Sequence, residues 1–414
     1  MGRLYGKILK NRIESQFEDM EEQSGFRAGR SCMDNIFTLQ QVIEKRKERN
    51  LPTHLVYVDL EKAYDTVPII ELFKTMTKIG LSKVYIRAVW NLYRNAKSGV
   101  KVGNVISELF TVSKGLKQGC CLSPSLFKIY IQEALTEWRK RVAGMGIKFS
   151  RDRNQSLYSL LFADDQVVIA NDEYDMNFMV RKLTDDYEKW GLKINTNKTE
   201  YLVIGENDSD PEVEINTSIK KCNEYKYLGS FISQEGTSKK DVTYRAHQGR
   251  KSIRSMNALL WSNQIKLETK MTIYKSIVEP ILTYGAECWQ LTMKNKQLIE
   301  TVEMDYLRRA CRVSRLEHIP NQDIRRRTNR VYTTVDRIEA RQLIWYGHVM
   351  RMSDDRWPKE ALKYVPSNKR RRRGRPAMSW IQGVRRTMDD RAISDEDWRN
   401  KITWRSKCGM RLRL

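Results

Sequence analysis

"LLFADDQVVIA", residues 160–170, sets two adjacent carboxylates inside an otherwise apolar run. Burying an unpaired ionised carboxylate costs several kcal/mol, so acids are normally kept out of such runs. The chain carries three other Asp-Asp pairs, Asp185-Asp186, Asp354-Asp355 and Asp389-Asp390, and each has polar neighbours. Only Asp164-Asp165 has apolar residues on both sides. The run predicts two short strands, 157–162 and 166–170, joined by a tight acidic turn. On this stretch alone, a hairpin that happens to turn on two acids is the favoured reading.

Composition narrows the choice. The 414 residues suffice for two or three packed domains. Lys and Arg number 75 against 51 Asp and Glu, a formal charge of +24 that favours a polyanionic partner, nucleic acid foremost. Seven cysteines, an odd number without a CxxC pair, argue against a disulfide scaffold or a zinc ribbon and favour a reducing compartment. Cys311 and His318 lie close in sequence, but no second pair completes a metal site. No long apolar segment predicts a membrane span. The opening "MGRLYGKILK" lacks a signal-peptide core, and Gly6 fails the myristoylation pattern. The expected location is nucleus or cytoplasm, neither secreted nor membrane-bound.

Along the chain, a basic amphipathic helix opens directly, followed by "EEQSGFRAGRS", a loop holding Gly25, Arg27, Gly29 and Arg30. Ser31 or Asp34 can cap the next helix, whose Ile36, Leu39, Val42 and Ile43 form an apolar stripe. "HLVYVDL" reads as a β-branched strand ending in Asp59. Helical patterns fill 69–96, "GVKVGNVISELFTVSKG" reads as two strands, and a further helix begins near "SPSLFKIYIQEALTEW". Beyond the acidic turn come one helix, two more strands and, from 238 to 315, mainly helix. The last hundred residues are basic, peaking in "NKRRRRGRP". Such a run binds phosphates without sequence preference, serves as a nuclear import signal, or is a solvated segment. Strands and helices interleave without strict alternation, which predicts an α+β fold with a helical appendage.

Asp59, like the doublet, sits at the tip of an apolar strand. Bringing it beside Asp164 would gather three carboxylates, and like charges at short range raise one another's pKa. Hard divalent cations relieve this, and Mg²⁺ takes oxygen ligands while retaining waters. A pair of such ions, about 4 Å apart, serves phosphoryl transfer.

"YVDLEKAYDTVP", "GLKQGCCLSPSLF", "LLFADDQVVIA", "GLKINTNKTEYLV" and "YKYLGSFIS" follow one another in this order, with "EEQSGFRAGRSCMDNI" upstream. Together they resemble the fingers and palm motifs of reverse transcriptases, most closely those of non-LTR (LINE-like) retrotransposons. The likeness covers residues 1 to about 235 motif by motif. It implies a right-hand polymerase with an antiparallel palm sheet. The divisions would be partial fingers over 1–50, palm over 51–235, a helical thumb-like region over 236–315, and a basic region over 316–414 for which partial disorder is one reading. The implied activity is RNA-directed DNA polymerase, with an RNA template, a DNA primer and deoxynucleoside triphosphates as partners. It implies two Mg²⁺ ions, with Mn²⁺ as a substitute, on Asp59, Asp164 and Asp165.

The resemblance also assigns single residues. Tyr64 falls on the aromatic gate that excludes a 2′-hydroxyl, with a packed core tyrosine as the rival reading. Asp65 matches a more structural acid. Gln118 and Gly119 fall on the motif beside the nascent base pair, and Arg27 and Arg30 on a loop able to grip the triphosphate. Lys198 matches the lysine that protonates pyrophosphate, and Tyr227, Leu228 and Gly229 match the primer grip. Trp261, Tyr274 and Tyr284 are expected in the core. Complete relatives also carry an endonuclease and longer fingers, so the chain is expected to begin partway into the fingers. Two other functions compete: a nucleic-acid-binding remnant without catalysis, and a metal-dependent nuclease at the same acids.

Overall fold

In the computed structural model, the residues described are 2–94, 96–149, 156–205, 213–215, 217–367 and 377–409. They form two compact units, one of 1–35 with 51–223, the other of 36–50 with 224–414. The "NKRRRRGRP" segment lies outside the described residues.

The first unit is built on a five-stranded sheet. Its strands are β1 (Thr53–Val58), β2 (Ser159–Phe162), β3 (Asp165–Ala170), β4 (Glu200–Ile204) and β5 (Lys220–Lys221), in the order β5-β4-β1-β3-β2. β1 is central, and all six of its residues are buried. That explains its near-continuous apolar sequence, since a strand covered on both faces cannot alternate with polar residues. It pairs antiparallel with β3 and β4, and only the short β4–β5 contact is parallel. The expected antiparallel sheet is therefore present, with one parallel edge.

Val56, Val58, Leu161 and Val168 share a core with Leu126, Phe127, Tyr130 and Leu135 of the Ser123–Arg141 helix and with Met176, Met179 and Leu183 of the Glu173–Lys189 helix. Pro124 starts the first of these helices, where its missing N–H is no loss. Asp172 caps the second by accepting from the Asp175 N–H. Burial of each such large side chain contributes about 2 kcal/mol. The 97–111 segment forms the expected pair of strands as nested short ladders, Lys97–Ser98 with Phe110–Thr111 and Lys101–Val102 with Val105–Ile106.

The second unit opens with a hairpin, Glu224–Tyr227 and Ser230–Ser233. Its turn residues, Leu228 and Gly229, both have positive φ, 47° and 84°, the requirement of a tight two-residue hairpin. Helices Lys239–Ser255, Met293–Ala310 and Thr334–Met350 follow. They enclose a buried ionic centre: Glu303 accepts from Arg325 at 2.9 Å and Arg330 at 3.1 Å, while Arg330 and Arg337 both reach Glu279. Phe37, in the 36–50 segment, packs edge-on against Trp380 at 4.7 Å and Trp345 at 5.7 Å. Glu44 accepts from Gln290 Nε2 at 2.6 Å and from the Trp380 N–H at 3.1 Å. The described part of the basic region is folded, including helices Trp380–Asp389 and Lys401–Gly409 with Trp380 and Trp404 buried. No helix among the described residues is long and apolar enough to cross a membrane.

Candidate active site

β1 ends at Val58, opposite Gln166 of β3. One further step in the same register sets Asp59 across from Asp165. The β2–β3 hairpin closes with Phe162 opposite Asp165, leaving Ala163 and Asp164 as its two turn residues. Ala163 takes φ 61°, the left-handed conformation demanded at the first central position of such turns. Asp59, far away in sequence, thus joins the adjacent pair Asp164 and Asp165 at one end of two neighbouring strands. The Asp165 carboxyl is held above its ordinary value, first by desolvation, then by the like charges of Asp164 and Asp59. Asp165 as a residue is exposed. The like charges of Asp164 and Asp59 are what a counter-ion would relieve.

The tip of β1 is fastened by the chain that carries Lys198. The Asp59 N–H donates to Thr199 Oγ1 at 3.3 Å, and the Asp59 carbonyl accepts from the Asn195 N–H at 2.8 Å. The turn 195–198 then brings Lys198 Nζ to 4.0 Å from Asp59 Oδ2. Among the described residues no three His, Cys, Asp or Glu side chains already converge as a closed metal cage. The donor set fits Mg²⁺ nonetheless. That ion is ordinarily held by one or two carboxylates, waters and substrate phosphates, not by an all-protein shell. The Lys198 ammonium sets a positive charge beside Asp59.

Tyr64 stacks on Phe127, with centroids 4.4 Å apart and planes 22° from parallel. Its hydroxyl is buried without a hydrogen-bond partner. Burial, and then the charge of Asp164, push its pKa up, so the hydroxyl stays protonated beside the acids. The ring is thus packed, as the rival reading expects, and it feels the charge of Asp164. Gln118 donates to Asp65 Oδ1 at 3.3 Å, which ties the two motifs together. Gly119 has φ 75° and open space where a Cβ would stand.

The two arginines of the fingers loop are engaged. Arg30 makes a two-pronged pair with Glu21, both contacts 2.5 Å. Arg27 reaches the Met20 carbonyl at 3.0 Å, Asp19 at 3.6 Å and Glu21 at 3.5 Å. In this arrangement neither offers a free guanidinium to a triphosphate, and either would have to exchange a carboxylate for phosphate oxygens.

Tyr227, Leu228 and Gly229 belong to the second unit. Tyr227 is buried, and Tyr284 Oη donates to the Leu228 carbonyl at 2.8 Å. A Cβ on Gly229 would come within 3.0 Å of the Tyr284 ring. Of the three aromatics expected in the core, Tyr274 is fully buried, but Trp261 and Tyr284 are exposed. The reason for Tyr284 is its engagement with the 228–229 turn. Sequence reasoning passed over Gln23, whose side chain touches the acidic turn; its only local signal is a polar residue two positions before Gly25.

A family model described as reverse transcriptase (RNA-dependent DNA polymerase) matches residues 1–232. The chain is 30% identical over 258 residues to an uncharacterized transposon-derived protein of Caenorhabditis elegans, covering 59% of this chain and 90% of that protein. It is 21% identical over 365 residues to the retrovirus-related Pol polyprotein from type-1 retrotransposable element R2 of Popillia japonica, covering 82% of this chain and 49% of the polyprotein. It is 24% identical over 309 residues to the RNA-directed DNA polymerase from mobile element jockey of Drosophila funebris, covering 71% of this chain and 32% of that one. The chain thus spans half or less of the latter two.

Proposed function

Because the chain belongs to the reverse transcriptase (RNA-dependent DNA polymerase) family, with relatives among non-LTR retrotransposons, we propose that its first unit adds deoxynucleotides to a DNA primer 3′ end along an RNA template. The observation that carries the reading is the register of β1, β2 and β3, which gathers Asp59, Asp164 and Asp165. Divalent metal dependence is general to the family; two Mg²⁺ ions, replaceable by Mn²⁺, would lower the pKa of the primer hydroxyl and neutralise the departing pyrophosphate. In this reading Asp59, Asp164 and Asp165 would hold the ions. Lys198 keeps a proton on Nζ for the pyrophosphate oxygen that leaves, a role its 4.0 Å separation from Asp59 supports.

Tyr64 supplies a rigid ring beneath the incoming sugar, and its stacking on Phe127 supports that rigidity. Gln118 would hydrogen-bond the sugar or base, and Gly119 would leave room for it. Arg27 and Arg30 would take the triphosphate after releasing Asp19 and Glu21. Tyr227, Leu228 and Gly229 would support the primer's last sugar from their clamped turn. Fingers over 1–50, palm over 51–235, a thumb over 236–315 and a basic region over 316–414 form the accompanying division of labour, exercised in nucleus or cytoplasm.

Primer extension on RNA by the purified chain, wild type against Asp164→Ala, tests this. Mg²⁺-dependent incorporation by wild type and loss of at least 100-fold in the variant is expected. Equal incorporation by both refutes the assignment of the acids. Salt-sensitive RNA binding without extension by either would instead make the protein a binding remnant.

A further inference from the structure

We propose that Gln23, together with Gly25, is a positioning residue that locks the acidic turn in its working conformation; the proposal rests on the polymerase reading above. Ala163 is the point of leverage. For an L-residue with a Cβ the left-handed region costs about 1–2 kcal/mol, so an unsupported Ala163 would drift and carry Asp164 with it. Support comes from the Gln23 side chain, which is 1% exposed. The Ala163 N–H donates to Gln23 Oε1 at 2.9 Å, and Gln23 Nε2 donates back to the Ala163 carbonyl at 3.1 Å. One side-chain amide thus grips both polar groups of the strained residue.

The amide itself is held. Gln23 Oε1 also accepts from the Gly25 N–H at 2.7 Å. Flipping the amide would turn its NH₂ onto two N–H donors, so one orientation alone satisfies all three bonds. The backbone adds a second grip: the Leu161 N–H donates to the Glu22 carbonyl at 2.8 Å, and the Ser24 N–H to the Leu161 carbonyl at 2.9 Å. Asn35 Nδ2 donates to the same Leu161 carbonyl at 2.9 Å while its Oδ1 accepts from Ser24 Oγ at 2.7 Å. Segment 22–24 therefore runs beside β2 as a short parallel partner and covers what would be a free edge.

Gly25 is needed for the approach. A Cβ there would lie 2.1 Å from the Ala163 nitrogen and 2.9 Å from its Cα, contacts that backbone on both sides cannot relieve without moving the turn. The "EEQSGFRAGRS" loop thereby acquires a task that does not depend on Arg27 or Arg30. It fixes the carboxylates from behind.

The experiment compares wild type, Gln23→Met and Gln23→Met/Ala163→Gly in the full chain. Methionine keeps the volume and removes all three hydrogen bonds. Expected for Gln23→Met are unchanged binding of an RNA–DNA duplex by anisotropy and melting lowered by several degrees, since three buried polar groups lose this partner. Alongside these, kcat falls about 100-fold and the Mg²⁺ concentration for half-maximal rate rises. Ala163→Gly should restore at least tenfold of that loss, because glycine adopts the left-handed turn without a clamp. Two readouts do not need catalysis: protection of the Ala163 N–H from exchange, and Mn²⁺ affinity by electron paramagnetic resonance. Both should fall in Gln23→Met, and Mn²⁺ affinity should recover in the double variant. Unchanged kcat, Mg²⁺ requirement and Mn²⁺ affinity in Gln23→Met overturn the proposal, as does an equal loss that glycine at 163 does not rescue. A wild type that never extends a primer refutes the polymerase reading instead, and exchange and Mn²⁺ affinity then decide the clamp.

Discussion

Lys198 Nζ stands 4.0 Å from Asp59 Oδ2, and both residues are set by one short turn whose backbone is bonded to the Asp59 carbonyl. The lysine is thus placed by the strand that delivers the acid. Lys198→Ala should lower kcat about 100-fold with little change in KM for nucleotide, because the lost proton donor acts in the transition state. Lys198→Arg should recover little of this, since a guanidinium keeps charge but does not give up its proton. Steady-state extension kinetics check both; a shift confined to KM would reassign the lysine to nucleotide binding.

The carboxyl of Asp165 is raised above its ordinary 3.8 by desolvation and by Asp164 and Asp59. The folded protein therefore holds that proton more tightly than the unfolded chain. Below the ordinary value the group costs nothing; as pH rises through the raised value the folded state loses stability. Mg²⁺ should offset that loss, so its stabilising effect in thermal denaturation should be absent near pH 3 and grow toward pH 7. Asp165→Asn should melt higher than wild type without metal and respond less to it. A Mg²⁺ shift equal at both pH values would sever the link between these acids and the ion.

Tyr64 lets the ring and the hydroxyl be separated. Tyr64→Phe removes a buried hydroxyl that has no partner and should stabilise the protein by about 1 kcal/mol, with selection against ribonucleotides retained. Tyr64→Val keeps the backbone and removes the ring, so discrimination should fall about 100-fold. Competing deoxy- and ribonucleotide incorporation measures this. Loss of selection in the phenylalanine variant would contradict a purely steric gate.

In the second unit Arg330 sits between Glu279 and Glu303, and all three are nearly inaccessible to water. Arg330→Met would leave two buried carboxylates short of a partner. Arg325 and Arg337 remain nearby, so a loss of about 3 kcal/mol is expected, at the low end for a broken buried pair. Urea denaturation followed by tryptophan fluorescence should show it. A variant as stable as wild type would make the network dispensable.

Much of the site could be read before any coordinates. An acid pair in an apolar run and an acid at a strand tip are local violations of burial rules, and both marked residues that converge. The fastening of the turn was not legible. Gln23 and Ala163 are 140 positions apart, and nothing near "EEQSG" says that its glutamine will face a strained alanine. Nor did charge reveal its own use: Arg27 and Arg30 look free in sequence, yet Asp19 and Glu21 take them up. The stripe Ile36, Leu39, Val42 and Ile43 announced a buried helix face but not that residues 36–50 would join the distant half of the chain, since periodicity names a face and never its partner.

That last assignment bears on how the protein can be dissected. An expression fragment ending where the polymerase motifs end would retain Phe37 and Glu44 but discard Trp345, Trp380 and Gln290, their partners. Its exposed aromatic ring and unpaired acid would invite aggregation for reasons unrelated to the catalytic sheet. A fragment starting at residue 224 would suffer the complementary wound. Splitting this polypeptide into soluble halves would require carrying residues 36–50 across as a separate peptide.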